Sequence, residues 1–79
     1  MSETEVRDWL VACVARYINR PPSEVDPEVK LRSYGLDSVY ALTLCLDIEE
    51  EFGMQFDPTL AWDYPTIAAI AGHMVERMP

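Results

Sequence analysis

The chain has 79 residues, enough for one small domain with a thin core, and we read residues 1–79 as that single domain. Its hydrophobic fraction of 49% is too high for a disordered segment, yet no apolar run reaches the ~18 residues that a membrane span needs. The net charge is −8, and residues 33 to 76 hold eight acids and no Lys or Arg, a surface that repels nucleic acid and anionic lipid and attracts partners with basic patches.

The first helix opens at Ser2-Glu3-Thr4-Glu5, which fits a capping box with Ser2 as N-cap. Val6, Trp9, Leu10, Cys13, Val14, Tyr17 and Ile18 then recur at helical spacing as a core stripe. Pro21-Pro22 is expected to end it. The same N-terminus has no basic start and no apolar signal region, so a cytoplasmic location is expected. In that compartment Cys13 and Cys45 read as reduced, packed thiols, and no CxxC or His-rich spacing suggests a metal.

Residues 20 to 35 form a long connection with three prolines, of a length that is often functional in a small domain. Val25, Val29, Leu31 and Tyr34 are expected to pin it across the helices. Gly35 closes it, in a turn that needs positive φ or a close backbone approach.

The second helix runs from Asp37 or Ser38 to Phe52, with Gly53 just past its end. Ala41, Cys45, Ile48 and Phe52, with Leu44, form one apolar stripe. Val39, Leu42 and Leu46 form another, displaced around the helix, which is either extra core or an exposed ridge for a partner. Asp57-Pro58 reads as N-cap and N1 of a short third helix through Trp62. Pro65-Thr66 opens a fourth, with Ile67, Ile70, Ala71, Met74, Val75 and Met78 on its apolar face. The expected fold is all-α, a small bundle of three longer helices and a short third one.

Ser38 stands where the loop becomes a helix. Either Asp37 or Ser38 can cap it; with Asp37 as the cap, the Ser38 hydroxyl is left free. A helix N-terminus favours a phosphate, so a phosphodiester on Ser38 would sit well there. Nucleophilic catalysis by Ser38 lacks a placed base, because the one histidine, His73, lies on the last helix. Glu49, Glu50 and Glu51 are consecutive and fan around the helix, so they do not converge on a metal. A hydroxyl modified by another protein fits better than a catalytic one.

Tyr34-Gly35-Leu36-Asp37-Ser38-Val39, the helix end Glu49-Glu50-Glu51-Phe52-Gly53 and Trp62-Asp63-Tyr64-Pro65-Thr66-Ile67 together resemble the acyl carrier protein family, and most of all the carrier domains of polyketide synthases. The resemblance covers nearly the whole chain. It implies an acyl-carrier-like four-helix fold and a non-enzymatic role in polyketide biosynthesis, with fatty acid biosynthesis as the related case. It further implies that Ser38 carries a 4′-phosphopantetheine arm from coenzyme A, making the chain a phosphoprotein, with Gly35, Leu36 and Asp37 completing the cofactor site. The arm's thiol would hold acyl or polyketide intermediates as thioesters. Val39, Leu42 and Leu46, with Asp37, Glu49 and Glu50, correspond to the surface shown to partner enzymes. Trp9, Leu10, Val14, Cys45, Ile48, Phe52, Ile67 and Ile70 correspond to core.

The partners so implied are a phosphopantetheinyl transferase, an acyltransferase or acyl-activating ligase, and a ketosynthase or other synthase enzyme with a basic docking patch; a monomer is expected. Thr43 stands where many carriers have an acid, and helix two has no Arg, unlike many carrier domains of modular polyketide synthases. Gly-Leu-Asp-Ser also differs from the Gly-Gly-x-Ser of peptidyl carriers, though an aminoacyl, peptidyl or D-alanyl carrier stays open. From another class, a cofactor-free acidic helical adaptor explains the charge and the ridge but leaves the Asp37-Ser38 placement unexplained.

Overall fold

The structure is a computed structural model and describes residues 1–78. Among these the regular elements are α1 (Glu3–Ile18), α2 (Ser38–Phe52), α3 (Leu60–Asp63) and α4 (Ile67–Arg77), with two 3-10 turns, Pro22–Glu24 and Leu31–Tyr34, in the long connection. The all-α bundle of three longer helices and one short one is therefore as expected.

α1 begins with the full capping box: Glu5 N–H donates to Ser2 Oγ and Ser2 N–H to Glu5 Oε1, each at 3.2 Å. These bonds hold the Glu5 carboxyl below its ordinary pKa. The helix stops earlier than the prolines demand. Asn19 takes the left-handed conformation (φ 57°) and caps it, and Pro21 only bars its resumption.

One other boundary differs from the sequence reading. α3 starts at Leu60, after Thr59. Asp57 does not cap it; its Oδ1 accepts from Thr59 N–H at 3.0 Å in a tight side-chain turn ahead of the helix. α4 opens where Pro65-Thr66 placed it: Thr66 is the cap, and its hydroxyl accepts from Ala69 N–H.

The core gathers Val6, Leu10, Cys13 and Val14 from α1, Leu44, Cys45 and Ile48 from α2, and Ile67, Ile70, Ala71 and Met74 from α4, all buried. Trp9 and Phe52, expected in the core, are half-buried instead. They meet edge to face, ring centroids 4.9 Å apart, at the rim of the α1–α2 seam. A second link crosses that seam: the Tyr17 hydroxyl donates to Asp47. Burial and the neighbouring carboxylate both raise the Tyr17 phenol, so it stays protonated as donor. Cys13 and Cys45 are free and buried, and burial raises both thiols.

The long connection is ordered by backbone pairing as well as by apolar anchors. Leu31 N–H donates to Pro65 C=O at 2.9 Å, beside an antiparallel bridge between Lys30 and Thr66. Ala68 N–H donates to Pro27 C=O at 3.0 Å. Val25 and Leu31 are buried, and Tyr34 packs on the core while its hydroxyl accepts from Asp26 N–H at 2.7 Å. Val29 stays outside the core cluster, contrary to expectation.

Ile48 lies at the centre of this core and is fully buried. Ile48→Ala should cost about 2–5 kcal/mol in urea denaturation, from lost burial plus the cavity left behind; a loss under about 1 kcal/mol would contradict the packing described.

Candidate functional site

The site is built by the join between the connection and α2. Gly35 caps the second 3-10 turn at φ 79°, with nothing within 4 Å of where a Cβ would stand. Its glycine is thus required by backbone conformation rather than by crowding. Leu36 is half-buried against the core and seats the turn. Asp37 then takes the extended conformation of an N-cap, and its Oδ1 accepts from Val39 N–H at 3.0 Å and Tyr40 N–H at 3.3 Å. This settles which residue caps α2.

Two consequences follow for Ser38. It is exposed, and among the described residues its hydroxyl has no protein hydrogen-bond partner. Of the first-turn amides, those of Val39 and Tyr40 already donate to Asp37.

Ser38 and Asp37 lie on the wall of an open groove of about 480 Å³. Leu36, Ala41 and Ala61 give it an apolar lining. Trp62 and Pro65 form the far side, and Lys30, Leu31 and Arg32 the loop side. Trp62 is 75% exposed, very high for a tryptophan. Sequence reasoning missed Lys30, Arg32 and Trp62 as site residues. The signals were there: Lys30 and Arg32 are the last bases before the acidic stretch, and Trp62 fits no core stripe.

The open question about the second stripe of α2 is resolved in favour of a ridge. Val39 is 65% exposed, Leu42 47% and Leu46 55%, while Leu44, Cys45 and Ile48 turn inward. Glu49 and Glu50 are exposed beyond the ridge, and Glu49 also accepts from Gln55 Nε2 at 2.8 Å. The structure thus brings Gly35, Leu36, Asp37 and Ser38 together at one end of α2, with Val39, Leu42, Leu46, Glu49 and Glu50 running away along its outer side. Apolar surface of this kind, rimmed by acids, suits a partner with an apolar patch and basic rim.

His73 does not line this groove; it stacks on Tyr64, ring centroids 4.1 Å apart, and packs against Phe56. Among the described residues no group of three or more His, Cys, Asp or Glu is placed to hold a metal. No helix of the described chain is long and apolar enough to cross a membrane.

Comparison with known proteins agrees with this geometry. Residues 8–74 match the family model described as "Phosphopantetheine attachment site". The chain is 32% identical over 98% of its length to a phenolphthiocerol/phthiocerol polyketide synthase of Mycobacterium tuberculosis, and 35% identical over 94% to 6-methylsalicylic acid synthase of Aspergillus terreus. It spans about 4% of the length of each of these relatives. A solved free-standing peptidyl carrier protein from an uncharacterized secondary metabolic pathway of Acinetobacter baumannii superimposes with a TM-score of 0.94 at 36% identity, covering 99% of this chain and 98% of that one.

The exposure difference between neighbouring leucines is directly testable. Leu42→Glu should leave helical circular dichroism intact and stability within about 0.5 kcal/mol, as for a surface change. Leu44→Glu, which buries a charge, should destabilise by well over that, and equal behaviour of the two variants would refute the placement of the ridge.

Proposed function

Because the chain belongs to the phosphopantetheine attachment site family and is a carrier that holds 4′-phosphopantetheine covalently, we propose that Ser38 is the residue that bears the group. The observation that carries this reading is the Ser38 hydroxyl itself, exposed and unbonded beside a capping Asp37. Gly35 and Leu36 hold the turn that presents it, and Asp37 keeps the helix end closed. When bound, the group supplies a terminal thiol on a flexible arm, where an acyl group is held as a thioester.

Attachment forms a bond between Ser38 Oγ and the phosphorus of coenzyme A's pantetheine phosphate and releases adenosine 3′,5′-bisphosphate. The hydroxyl proton leaves to a base of the phosphopantetheinyl transferase. His73, packed on Tyr64, is not placed to take it.

Carrier domains of polyketide synthases work with synthase enzymes, and we assign this chain the same general role. Its partners in this reading are the transferase, an acyltransferase or acyl-activating ligase, and a ketosynthase or related enzyme. They dock on Val39, Leu42 and Leu46, oriented by Asp37, Glu49 and Glu50. Such contacts are weak, salt-sensitive and quickly exchanged, which suits a carrier that must visit several active sites. The unit is residues 1–79, monomeric and cytoplasmic. Cargo of polyketide type is favoured by the synthase relatives; the similarity to a peptidyl carrier keeps an aminoacyl or peptidyl cargo as the second reading.

Incubation with coenzyme A and a broad-specificity phosphopantetheinyl transferase should add one phosphopantetheine to the intact mass. Ser38→Ala should fold normally, with stability within about 0.5 kcal/mol because no hydrogen bond is lost, and gain nothing. A mass gain in that variant would refute Ser38 as the attachment residue. In the loaded protein, Leu42→Glu should slow acyl transfer to a cognate ketosynthase without altering the mass; unchanged transfer would remove the ridge from the docking surface.

A further inference from the structure

We infer that Tyr17, on α1, is a positioning residue for the helix that bears Ser38: its ring and hydroxyl fix the rotation of α2 about its own axis, and with it the angle at which Ser38 and the ridge meet an enzyme. This rests on Ser38 being the modified residue and on the ridge being the docking surface. The packing shows why such a device is needed. α1 lies close against α4, whereas α2 stands further from α1 and is linked to it at both ends by aromatic side chains. Burial of Leu44, Cys45 and Ile48 draws α2 inward, but apolar contact is non-directional and sets distance more firmly than rotation.

Tyr17 touches α2 at two places. Its ring lies beside that of Tyr40, centroids 5.6 Å apart, and its hydroxyl donates to Asp47. Positions 40 and 47 are two helical turns apart on one flank of α2, separate from both the inner stripe and the ridge. Contacts at two heights on one flank oppose rotation and tilt, and the hydrogen bond adds the directionality that apolar contact lacks. Tyr40 follows Ser38 by two residues, so the first of these contacts acts where the attachment hydroxyl stands.

The groups around the bond leave it no substitute. Asp47 forms no ion pair among the described residues, and the Tyr17 hydroxyl is the partner its carboxylate has there. Arg16, a base near enough to feel Asp47, donates instead to Cys13 Sγ at 3.4 Å. Thr43, on the same flank, gives its hydroxyl to Val39 C=O at 2.9 Å. Without the Tyr17 hydroxyl the Asp47 carboxylate turns to water, and α2 keeps its core contacts while losing the constraint on its rotation. Only a fraction of molecules then presents Ser38 and the ridge together in the docking orientation, and apparent affinity for a partner falls by that fraction.

The test is the kinetics of loading from coenzyme A by a broad-specificity phosphopantetheinyl transferase, followed by intact mass, well below the melting temperature of each variant. Tyr17→Phe keeps the ring beside Tyr40 and removes only the hydroxyl. It should raise KM for the carrier about three- to tenfold, the scale of one net hydrogen bond, and leave kcat unchanged. Asp47→Ala should do the same, and the Tyr17→Phe/Asp47→Ala pair should be no worse than either change alone. Asp47→Asn, which keeps an acceptor without the charge, should stay near the native KM. A native KM in Tyr17→Phe, with only the melting temperature lowered, would reduce the bond to a structural one and overturn the positioning role. Additive effects in the pair would overturn it as well, and so would a KM in Asp47→Asn as high as in Asp47→Ala, which assigns the effect to charge. Each of these outcomes leaves the attachment intact, whereas failure of the native chain to gain mass would overturn the attachment and the positioning role together.

Discussion

The site depends on one cross-link of backbone: the long connection is tied to the turn before α4 by Leu31 N–H to Pro65 C=O, the Lys30–Thr66 bridge and Ala68 N–H to Pro27 C=O. A loop of this length costs conformational entropy to order, and side-chain burial of Val25 and Leu31 alone gives it few anchors. The backbone bonds supply the rest and also satisfy polar groups that would otherwise be covered without partners. Because the loop is held at that end, Gly35 can reverse the chain and Asp37 can meet the start of α2 in the extended conformation a cap requires. Everything at Ser38 follows from where that reversal occurs.

α2 is asked to do two things that compete. Its inner stripe, Leu44, Cys45 and Ile48, secures the helix to α1 and α4 by burial. Its outer stripe, Val39, Leu42 and Leu46, leaves apolar surface in water at a cost in solubility. The acids Glu49 and Glu50 on the same helix offset that cost by keeping copies of the chain apart. In the role proposed above, this division would give a stiff helix held from inside and a ridge whose apolar contacts lend partners affinity while its charges orient them.

Much of the fold was legible in sequence because helix signals here are local. Ser2 with Glu5, Gly53 after Phe52, and the i, i+3, i+4 spacing of α1 and α4 name their elements from residues within a turn of one another. The misplaced boundaries lie where two local signals compete. Asp57-Pro58 looks like a helix start, and the Asp57 carboxylate does accept from Thr59 N–H, but the segment up to Thr59 closes only as a turn and the regular helix begins at Leu60. Asn19 ends α1 before the prolines can. Trp9 and Phe52 lie on the correct stripes, yet they sit half-buried at the rim, where they meet edge to face.

The sequence by itself determined the helical composition, the acidic stretch from residue 33 to 76 and the segment Gly35-Leu36-Asp37-Ser38, with the family it points to, because each is a matter of neighbouring residues. Only the tertiary structure decided three things. It chose Asp37 over Ser38 as the cap, through the angle at which the loop arrives. It showed that Val39, Leu42 and Leu46 face solvent, since a helical wheel displays two stripes without saying how far the neighbouring helices reach around them. And it drew Lys30 and Arg32 to the same groove as Ser38 and Trp62, residues separated by long stretches of chain and joined by the pairing of the loop with the opening of α4.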